Sequence, residues 1–412
     1  MARLQAPPGT LDATGSTARR RNDVIGVGRS LLESAGYEPI ETPIFEATEV
    51  FSRTVGDSTD IVQKQMFTFQ DQGGRSLTLR PEGTAPVARA YIEAGMHKDP
   101  QPVKLWYVGP FFRQERPQRG RYRQFTQIGA EAVGSEDPSL DAELILLLQE
   151  YLQRIGAGGV RLKLSSLGNP DTRRDYLEEL KAYLRSHEDE LSGEVRARID
   201  LNPLRAFDAD HDGTRAVMDK APRLLDRLAD EDAEHFARVR EFLDDARVRY
   251  EIDPTLVRGL DYYTRTVFEF ESPELGAQSG VGGGGRYDLL IEQLGGPPTP
   301  GVGWAAGIER MVLASGEESD SPAVDVFVAV DGGDPRTAFQ LVRELRGRGL
   351  TAQMEQAGRS LKGQLRQAGR VGADAVAVVG ADSIRVRAGG SEQEVQGVEA
   401  AIAAIESEED PA

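Results

Sequence analysis

Two β-prone runs of largely apolar residues predict a long β-hairpin around residue 118. The run WYVGPFF at residues 106–112 is aromatic and β-prone, and TQIGAEAVG at residues 126–134 reads as a second strand. Gln118 to Gly120 lies at the turn between them. Five arginines follow closely along this stretch: Arg113, Arg116, Arg119, Arg121 and Arg123. We therefore predict a hairpin with guanidinium groups on both strands and a basic loop at its tip.

Helical spacing of apolar residues predicts several further elements. Residues 18–36 form a basic amphipathic pattern that ends at Gly36, which is typical of a helix with a glycine after its last turn. Residues 137–155 predict a helix whose apolar centre, LILLL, is buried in the core. From about residue 168 to residue 250 the chain is charged, with leucines at helical spacing, which predicts a helical insertion.

A second hairpin is predicted where MFTFQ and SLTLR alternate around Gly73 and Gly74. The chain then enters a helix, with Thr84 as a candidate N-cap. Together with Glu82, Thr84 places a carboxylate and a hydroxyl at a strand-to-helix junction. Such a pair suits either plain N-capping or an ammonium ligand, and the residues alone leave both open.

Two later stretches also carry candidate site residues. A loop before the strong strand TRTVFEFE carries Arg258, Asp261, Tyr262 and Tyr263, which favours a polar pocket over a simple aromatic core pair. Six glycines then lie between residues 276 and 285, so the main chain can approach a ligand closely there. This run has neither the lysine of a P-loop nor the spacing of a dinucleotide-binding loop.

The segment GVGWAAGIERMVLA at residues 301–314 reads as a strand of small residues that runs into a helix, with Arg310 near the helix start. The bland alternative is an arginine on an ordinary helix face. After a polar linker at residues 314–323, strands alternate with helices as far as Ile405, which predicts a small mixed α/β domain at residues 323–412.

Composition narrows the classes of site that the chain can hold. It has 412 residues and no cysteine, which excludes disulfides, thiolate zinc sites and a cysteine nucleophile. The histidines lie too far apart in the sequence to form a metal set, so we predict no metal site built by the protein alone. No apolar run reaches membrane-spanning length and the N-terminal residues lack a signal-peptide core, so we expect a cytoplasmic protein without membrane contact.

Charge bears on the arginine hairpin in particular. The chain has 67 acidic and 49 basic residues and a net charge of -18, so any RNA contact must come from local basic patches. Arginine keeps its proton near neutral pH, and its fork matches phosphate oxygens. The hairpin is therefore either a solvated, salt-bridged element or, as we favour, a binding site for polyanions.

Three stretches together resemble one protein family. FRQERPQRGRYRQF at residues 112–125 resembles motif 2 of class II aminoacyl-tRNA synthetases, in the form found in histidyl-tRNA synthetases. LVRGLDYYTRTVFEF at residues 256–270 resembles the histidine-specific motif of that family, and GVGWAAGIERMVL at residues 301–313 resembles motif 3. The terminal α/β pattern is a looser match to the anticodon-binding domain.

The resemblance implies an α+β class II catalytic domain, an antiparallel sheet flanked by helices, at residues 1–318. It further implies a helical insertion at about 168–250 that leans on the acceptor arm of tRNA, and an α/β anticodon-binding domain at 323–412. A solvated insertion without a ligand is the alternative that the residues leave open. Motif 1, at the extended segment around Pro43 and the preceding helix, implies a homodimer.

The reaction implied is the activation of L-histidine by ATP, with Mg²⁺ bridging the phosphates, followed by transfer of histidine to tRNA(His). The catalytic residues implied are Arg113, Arg258 and Arg310. These three and Arg121 also form the ATP-binding set. Arg113 and Arg258 face the α-phosphate, and Arg310 holds the γ-phosphate.

The resemblance also implies a histidine-binding set: Glu82, Gly83, Thr84, Gln127, Glu131, Tyr262, Tyr263 and Tyr287. In this set Glu82 and Thr84 hold the α-amino group, while Glu131 and Tyr263 bond the two ring nitrogens. The glycine-rich loop would cover the histidine and the adenylate, with Arg286 and Tyr287 near the substrate.

For tRNA, the residues implied lie in the hairpin loop: Arg116, Gln118, Arg119 and Arg123. Arg116 and Gln118 would contact the extra 5′ guanylate of histidine tRNA. The competing interpretation is a paralogue that binds histidine without catalysis and regulates ATP phosphoribosyltransferase. Such paralogues typically lack the terminal domain and parts of the ATP and histidine motifs, whereas this chain has Arg113, Arg258 and Arg310.

Overall fold

The chain forms two compact units, residues 1–318 and residues 319–412. The structure is a computed structural model that describes residues 4–54, 61–256, 259–276, 279–316 and 324–407. Arg258 therefore lies outside the described residues. In the described residues no helix is both long and apolar enough to cross a lipid bilayer.

The first unit is built on one large sheet and one small sheet. Its strands are β1 (Glu38–Pro39), β2 (Phe45–Ala47), β3 (Phe67–Gln70), β4 (Ser76–Leu79), β5 (Val103–Phe112), β6 (Gln124–Val133), β7 (Arg161–Ser166), β8 (Tyr250–Ile252), β9 (Thr264–Glu271), β10 (Gly280–Arg286) and β11 (Gly301–Gly307). The large sheet has the order β1-β5-β6-β11-β10-β9-β7-β8, and the small sheet has the order β2-β4-β3. All pairings of the large sheet are antiparallel except those of the two edge strands, β1 and β8.

Helices surround these sheets and fill the segment between β7 and β8. Those of the first unit are α1 (Gly15–Ser34), α2 (Thr48–Ser52), α3 (Thr84–Glu93), α4 (Pro138–Arg154), α5 (Pro170–Ser186), α6 (Gly193–Arg196), α7 (Asp212–Met218), α8 (Asp230–Asp245), α9 (Leu290–Gln293) and α10 (Ile308–Ser315). The segment from α5 to α8 contains no strand in the described residues, which agrees with the helical spacing of its leucines.

The two faces of the large sheet have different roles. Ile128 of β6 and Trp304 of β11 are fully buried in the apolar cluster that also holds Leu148 of α4. Gln127 and Glu131 alternate with the core residues of β6 and therefore point to the opposite face. Gln127 and Glu131 therefore share one face of β6, opposite the core beneath α4.

The helix start near Thr84 differs from the sequence-based prediction. α3 begins at Thr84 itself, and its N-cap residue is Gly83, whose side chain cannot cap. The carboxylate of Glu82 accepts hydrogen bonds from the backbone N–H groups of Thr84 at 2.7 Å and Ala85 at 2.9 Å. The prediction of Thr84 as the cap was wrong, because the preceding acid satisfies these N–H groups.

The glycine-rich stretch is a strand and not a loop. Gly280–Arg286 forms β10 between β9 and β11, in the middle of the large sheet. A Cβ atom on Gly284 would lie 1.9 Å from the carbonyl oxygen of Gly303. The glycines therefore permit unusually close strand pairing as well as an open surface on the site side.

A buried ion-pair network joins the large sheet to α4 and α8. Arg286 and Asp141 are both fully buried, with Nη2 and Oδ2 2.7 Å apart, and His235 of α8 lies 3.3 Å from Asp141. The charge of Arg286 keeps the pKa of Asp141 below its usual value although burial raises it. Arg286 also donates to the carbonyl of Ser135. These contacts keep Arg286 out of the lining of the cavity described below, so a direct contact with the substrate, as the resemblance suggested, is not available to its guanidinium.

The second unit is a mixed sheet with helices. Its elements are β12 (Val324–Val330), α11 (Pro335–Gly347), β13 (Ala352–Met354), α12 (Leu361–Arg370), β14 (Ala373–Val379), β15 (Ile384–Ala388), β16 (Ser391–Val395) and α13 (Val398–Glu406). The strand order is β13-β12-β14-β15-β16. Sequence reasoning missed β16, whose residues SEQEV are polar and largely exposed, so they give no apolar alternation.

The small sheet carries the clearest exposed apolar surface of the described first unit. Ile44, Phe45 and Phe69 are 45%, 51% and 43% exposed. The rings of Phe45 and Phe69 meet edge to face, with their centroids 6.4 Å apart. The expected extended segment around Pro43 thus leads directly into this surface.

Candidate functional site

A cavity opens on the sheet face that Gln127 shares, where the start of α3, the loop of residues 113–123, β10 and the start of α10 meet. Its lining residues are Glu82, Gly83, Thr84, Arg113, Glu115, Gly120, Arg121, Tyr122, Phe125, Gln127, Leu260, Tyr262, Tyr263, Glu269, Gly280, Val281, Gly282, Gly283, Ala305, Gly307, Glu309 and Arg310. Segments that are far apart in the sequence therefore meet in one place, including the three motif-like stretches.

Three cationic side chains reach this cavity from two sides. Arg113 donates from Nε to the carbonyl of Pro81 at 2.9 Å, and its guanidinium lies 5.4 Å from the ring centre of Phe125. Arg310 donates from Nε to the carbonyl of Gly280 at 2.5 Å. Burial, and then the nearby charge of Arg121, lowers the pKa of Arg310 to about 10, so it remains protonated at neutral pH. The site can therefore hold an anion with several negative charges.

Acidic side chains keep these cations apart and oriented. Glu115 lies 3.8 Å from Arg113 and 3.4 Å from Arg121. Glu309 accepts the backbone N–H of Thr126 and pairs with Arg21 of α1 at 2.9 Å. Glu309 thus ties α1, β6 and α10 together beside Arg310.

Glu82 forms the polar floor at the other end of the cavity. It is almost fully buried and accepts a hydrogen bond from the hydroxyl of Tyr262 at 3.2 Å in addition to the two helix N–H groups. Burial raises the pKa of Glu82, and these hydrogen bonds oppose that rise. Nearby, Oε1 of Gln127 is buried without a hydrogen-bond partner in the described residues. Such an orphaned acceptor in a cavity marks a place for a ligand donor.

Glu131 lies beneath the cavity wall and does not line it. Its carboxyl group accepts hydrogen bonds from the hydroxyls of Tyr287 at 2.7 Å, Thr84 at 2.8 Å and Tyr107 at 3.2 Å. Burial nevertheless raises the pKa of Glu131 to about 8, so the carboxyl group is largely neutral at pH 7. Tyr287 is likewise buried below the cavity.

Glycines make room for this buried carboxyl group. A Cβ on Gly303 would lie 1.7 Å from Oε2 of Glu131. On the other side, the ring of Tyr107 fills the space above Gly83 and Gly129, where a Cβ would approach it to 2.4 Å. The position of Glu131 is therefore built into the backbone of three neighbouring elements.

The basic loop divides into an exposed tip and a braced base. Arg116, Gln118 and Arg119 are exposed at the tip. Arg123 is half-buried: its backbone N–H donates to the carbonyl of Gly9 at 2.7 Å, and its side chain lies over Gly9, which has a φ of 86°. A Cβ on Gly9 would lie 2.8 Å from Cγ of Arg123. The N-terminal segment thus supports the loop.

Of the predicted site residues, the structure brings nine to the cavity wall: Glu82, Gly83, Thr84, Arg113, Arg121, Gln127, Tyr262, Tyr263 and Arg310. Sequence reasoning missed Tyr122, Phe125, Glu269 and Glu309 as lining residues. Tyr122 and Phe125 lie within the arginine-rich stretch, and Glu309 directly precedes Arg310. Their positions next to recognised residues were a usable signal.

Comparison with known proteins agrees over nearly the whole chain. Residues 9–311 match the family model described as histidyl-tRNA synthetase. A protein named histidine–tRNA ligase from Desulforudis audaxviator is 48% identical over 385 residues, which are 92% of this chain and 92% of that protein. The protein of the same name from Thermus thermophilus is 46% identical over 388 residues, again 92% of each chain.

Solved structures give the same result. The apo histidyl-tRNA synthetase of S. aureus superposes with a TM-score of 0.80 at 35% identity and covers 99% of this chain and 100% of that one. A Bacillus halodurans structure titled as an ATP phosphoribosyltransferase regulatory subunit/histidyl-tRNA synthetase has a TM-score of 0.66 at 23% identity, covering 92% of this chain and 98% of that one. The latter likeness supports the shared fold only.

The raised pKa of Glu131 predicts a specific pH dependence of stability. Since the pKa is about 8 in the folded protein and the ordinary value is 4.5, the stabilisation from the bound proton is complete below pH 4.5 and is lost as pH rises through 8. We expect Glu131→Gln to become progressively more stable relative to the unchanged protein between these values. The difference is a few kcal/mol at most, at about 1.4 kcal/mol per pKa unit.

Urea unfolding at pH 5 and pH 8.5 measures this difference, with Glu150→Gln on the exposed surface of α4 as the control. A difference between Glu131→Gln and the unchanged protein that stays constant with pH would show that Glu131 ionises normally in the folded state.

Proposed function

The chain belongs to the histidyl-tRNA synthetase family and is a histidine–tRNA ligase with a class II fold, and we propose that both steps of its reaction take place in the cavity described above. The observation that carries this proposal is the meeting of Arg113, Arg121 and Arg310 with the Glu82–Tyr262 pair in one cavity. The cationic end of the cavity suits the phosphates of ATP, and the acidic end suits the α-amino group of an amino acid bound beside it.

In the first step, a carboxylate oxygen of histidine attacks the α-phosphorus of ATP, and the bond to pyrophosphate breaks. We assign Arg113 and Arg258 to the α-phosphate, Arg310 to the γ-phosphate and Arg121 to the adenylate side. Fixed positive charge lowers the barrier because negative charge is redistributed over the phosphates during transfer. The buried contacts of Arg113 and Arg310 favour this role, since they hold each guanidinium before substrate arrives.

The residues of the cavity also fit Mg²⁺. This ion prefers one or two carboxylates together with substrate phosphates, and Glu115 and Glu269 line the cavity near Arg310. Mg²⁺ held by these carboxylates would neutralise part of the negative charge of the phosphates when ATP is bound. The described residues hold no group of three acidic or histidine side chains suited to bind a metal without such a substrate.

For histidine, we assign the α-amino group to Glu82, Thr84 and the orphaned oxygen of Gln127, with Gly83 beside it. Glu131 is the partner of the imidazole, and Tyr263 bonds the other ring nitrogen. We propose that the imidazole ring approaches Glu131 beside Thr84, whose hydroxyl donates a hydrogen bond to that carboxyl group in the structure. Tyr262 and Tyr287 hold the two acidic groups in place from either side.

In the second step, the terminal ribose hydroxyl of tRNA attacks the acyl carbon, and AMP leaves. We propose that the loop tip with Arg116, Gln118 and Arg119 contacts the acceptor end. Arg123 supports this surface from the base of the loop. The helical insertion at about 168–250 would lie along the acceptor arm, and residues 323–412 would bind the anticodon.

The setting of this activity is also a proposal. Since tRNA is charged where proteins are made, we place the enzyme in the cytoplasm, as a homodimer. The regulatory alternative predicts histidine binding without exchange of pyrophosphate into ATP.

Histidine-dependent exchange of pyrophosphate into ATP tests the proposed function directly. We expect the unchanged protein to be active and Arg310→Ala to raise the KM for ATP about tenfold or more, with the KM for histidine within about twofold, since a charged contact contributes about 1.5–3 kcal/mol. Arg154→Ala, an exposed arginine of α4, is the control. No histidine-dependent exchange by the unchanged protein would overturn the proposal.

Replacement of Arg116 separates the two steps. Because Arg116 is exposed at the loop tip, away from the cavity lining, Arg116→Ala should slow aminoacylation of tRNA(His) about tenfold and leave pyrophosphate exchange nearly intact. Arg154→Ala should change neither rate. If both activities of Arg116→Ala fall together, the loop tip serves ATP and not tRNA.

The exposed apolar surface of the small sheet predicts the oligomeric state. The chain has a mass of 44.9 kDa, and sedimentation equilibrium should give twice that value. Charges at Phe45 and Phe69 should disfavour association, so the double variant Phe45→Asp, Phe69→Asp should sediment as a monomer, whereas Phe339→Asp in the second unit should not. An active monomer at working concentration would contradict the dimer.

A further inference from the structure

Arg173 of the helical insertion bonds the main chain of the loop of residues 259–263, called the histidine loop below. Arg173 of α5 donates from Nη1 to the carbonyl of Asp261 at 3.1 Å and to the carbonyl of Tyr263 at 3.2 Å. Its Nη2 also lies 3.9 Å from the carboxylate of Asp261. One guanidinium thus holds the carbonyl groups of the two residues on either side of Tyr262.

Tyr262 and Tyr263 lie between two cavities. Both residues line the candidate cavity and also a second cavity on the α5 side, together with Arg173, Asp261 and Lys181. Both tyrosines are buried and belong to one apolar cluster with Tyr287, so they form a packed wall between the two spaces. The hydrogen bonds of Arg173 add fixed contacts to the main chain of the same loop.

The base of α5 makes Arg173 a firm support. Leu167 donates to the carbonyl of Arg265 at 2.7 Å, and Arg265 donates back to the carbonyl of Gly168 at 2.9 Å. The buried carboxylate of Asp232 bonds both Arg265, at 2.9 Å, and the backbone N–H of Asn169, at 2.8 Å. The start of α5 is thereby fixed to the start of β9, which directly follows the histidine loop.

The position of the wall matters for Glu82. The hydroxyl of Tyr262 donates to Glu82, which in turn accepts the first N–H groups of α3. A shift of the loop main chain would move the Tyr262 hydroxyl away from that carboxylate and move Tyr263 away from the cavity. Neither change would alter Arg113 or Arg310 at the phosphate end.

We propose that Arg173 is a positioning residue for histidine, which sets Tyr262 and Tyr263 by holding the carbonyl groups of Asp261 and Tyr263. This inference rests on the proposed function of the cavity. It assigns to the helical insertion a part in amino-acid binding that is separate from any contact with tRNA. Arg173 itself touches no substrate.

The test compares Arg173→Ala, Arg173→Lys and Arg174→Ala in histidine-dependent pyrophosphate exchange. Arg174 is the matched control, since it follows Arg173 on α5 but is 66% exposed and pairs with Asp171. We expect Arg173→Ala to raise the KM for histidine about tenfold, the change that corresponds to about 1.4 kcal/mol, with the KM for ATP within about twofold. A lysine ammonium keeps the charge but lacks the planar fork of arginine, so Arg173→Lys should give a KM for histidine between those of the unchanged protein and Arg173→Ala.

Several outcomes would overturn the inference while leaving the proposed function intact. One is an active Arg173→Ala protein with the same KM for histidine as Arg174→Ala. Another is a parallel rise of both KM values with a lower unfolding temperature, which would make Arg173 a purely structural residue. If Arg173→Ala does not fold, Arg173→Lys replaces it in the test, and a rise in its KM for histidine without a rise in its KM for ATP supports the inference. Absence of exchange in the unchanged protein would instead overturn the proposed function, and this inference with it.

Discussion

Two carboxyl groups buried on one face of a sheet constrain the rest of this structure. Glu82 and Glu131 cannot be desolvated without donors, because a buried polar group without a hydrogen-bond partner costs about 1–3 kcal/mol or more. The donors come from four separate parts of the chain: the start of α3, Tyr107 of β5, Tyr262 of the histidine loop and Tyr287 after β10. Folding these segments together satisfies the acids and at the same time assembles the cavity.

The same constraint explains where side chains are missing. Space for the carboxyl group of Glu131 and the ring of Tyr107 is available only because Gly303, Gly83 and Gly129 carry no Cβ. Glycine in a strand normally weakens it. The glycines of the central strands therefore lower the stability of the sheet, and close backbone pairing between β10 and β11 partly offsets this loss.

The sequence predicted those elements whose pattern is local. β-Prone runs placed β5, β6 and β9, and helical spacing placed α4 and the insertion, because each pattern is complete within a short stretch of chain. β10 could not be recognised as a strand, since a run of glycines has no side-chain period, and its neighbours β9 and β11 determine its conformation. β16 was missed because its polar residues resemble those of a loop.

The site was predictable to the extent that residues occur in recognisable motifs. The contact between Arg286 and Asp141 spans 145 residues, so no local feature could have shown that this arginine belongs to the core. Similarly, only the fold shows that Glu131 lies beneath the wall and that Arg123 lies against Gly9. In each case burial and distant partners, not residue type, decide the role.

The contact between Gly9 and Arg123 has a practical consequence for anyone who prepares this enzyme. Pro8 and Gly9 lie against the base of the loop, in direct contact with Arg123. A purification tag fused ahead of them would project next to the surface assigned to the acceptor end. Steric hindrance by the tag could slow aminoacylation and be misread as weak binding of the tRNA. Kinetic work should therefore use a tag at the opposite terminus or one that is removed.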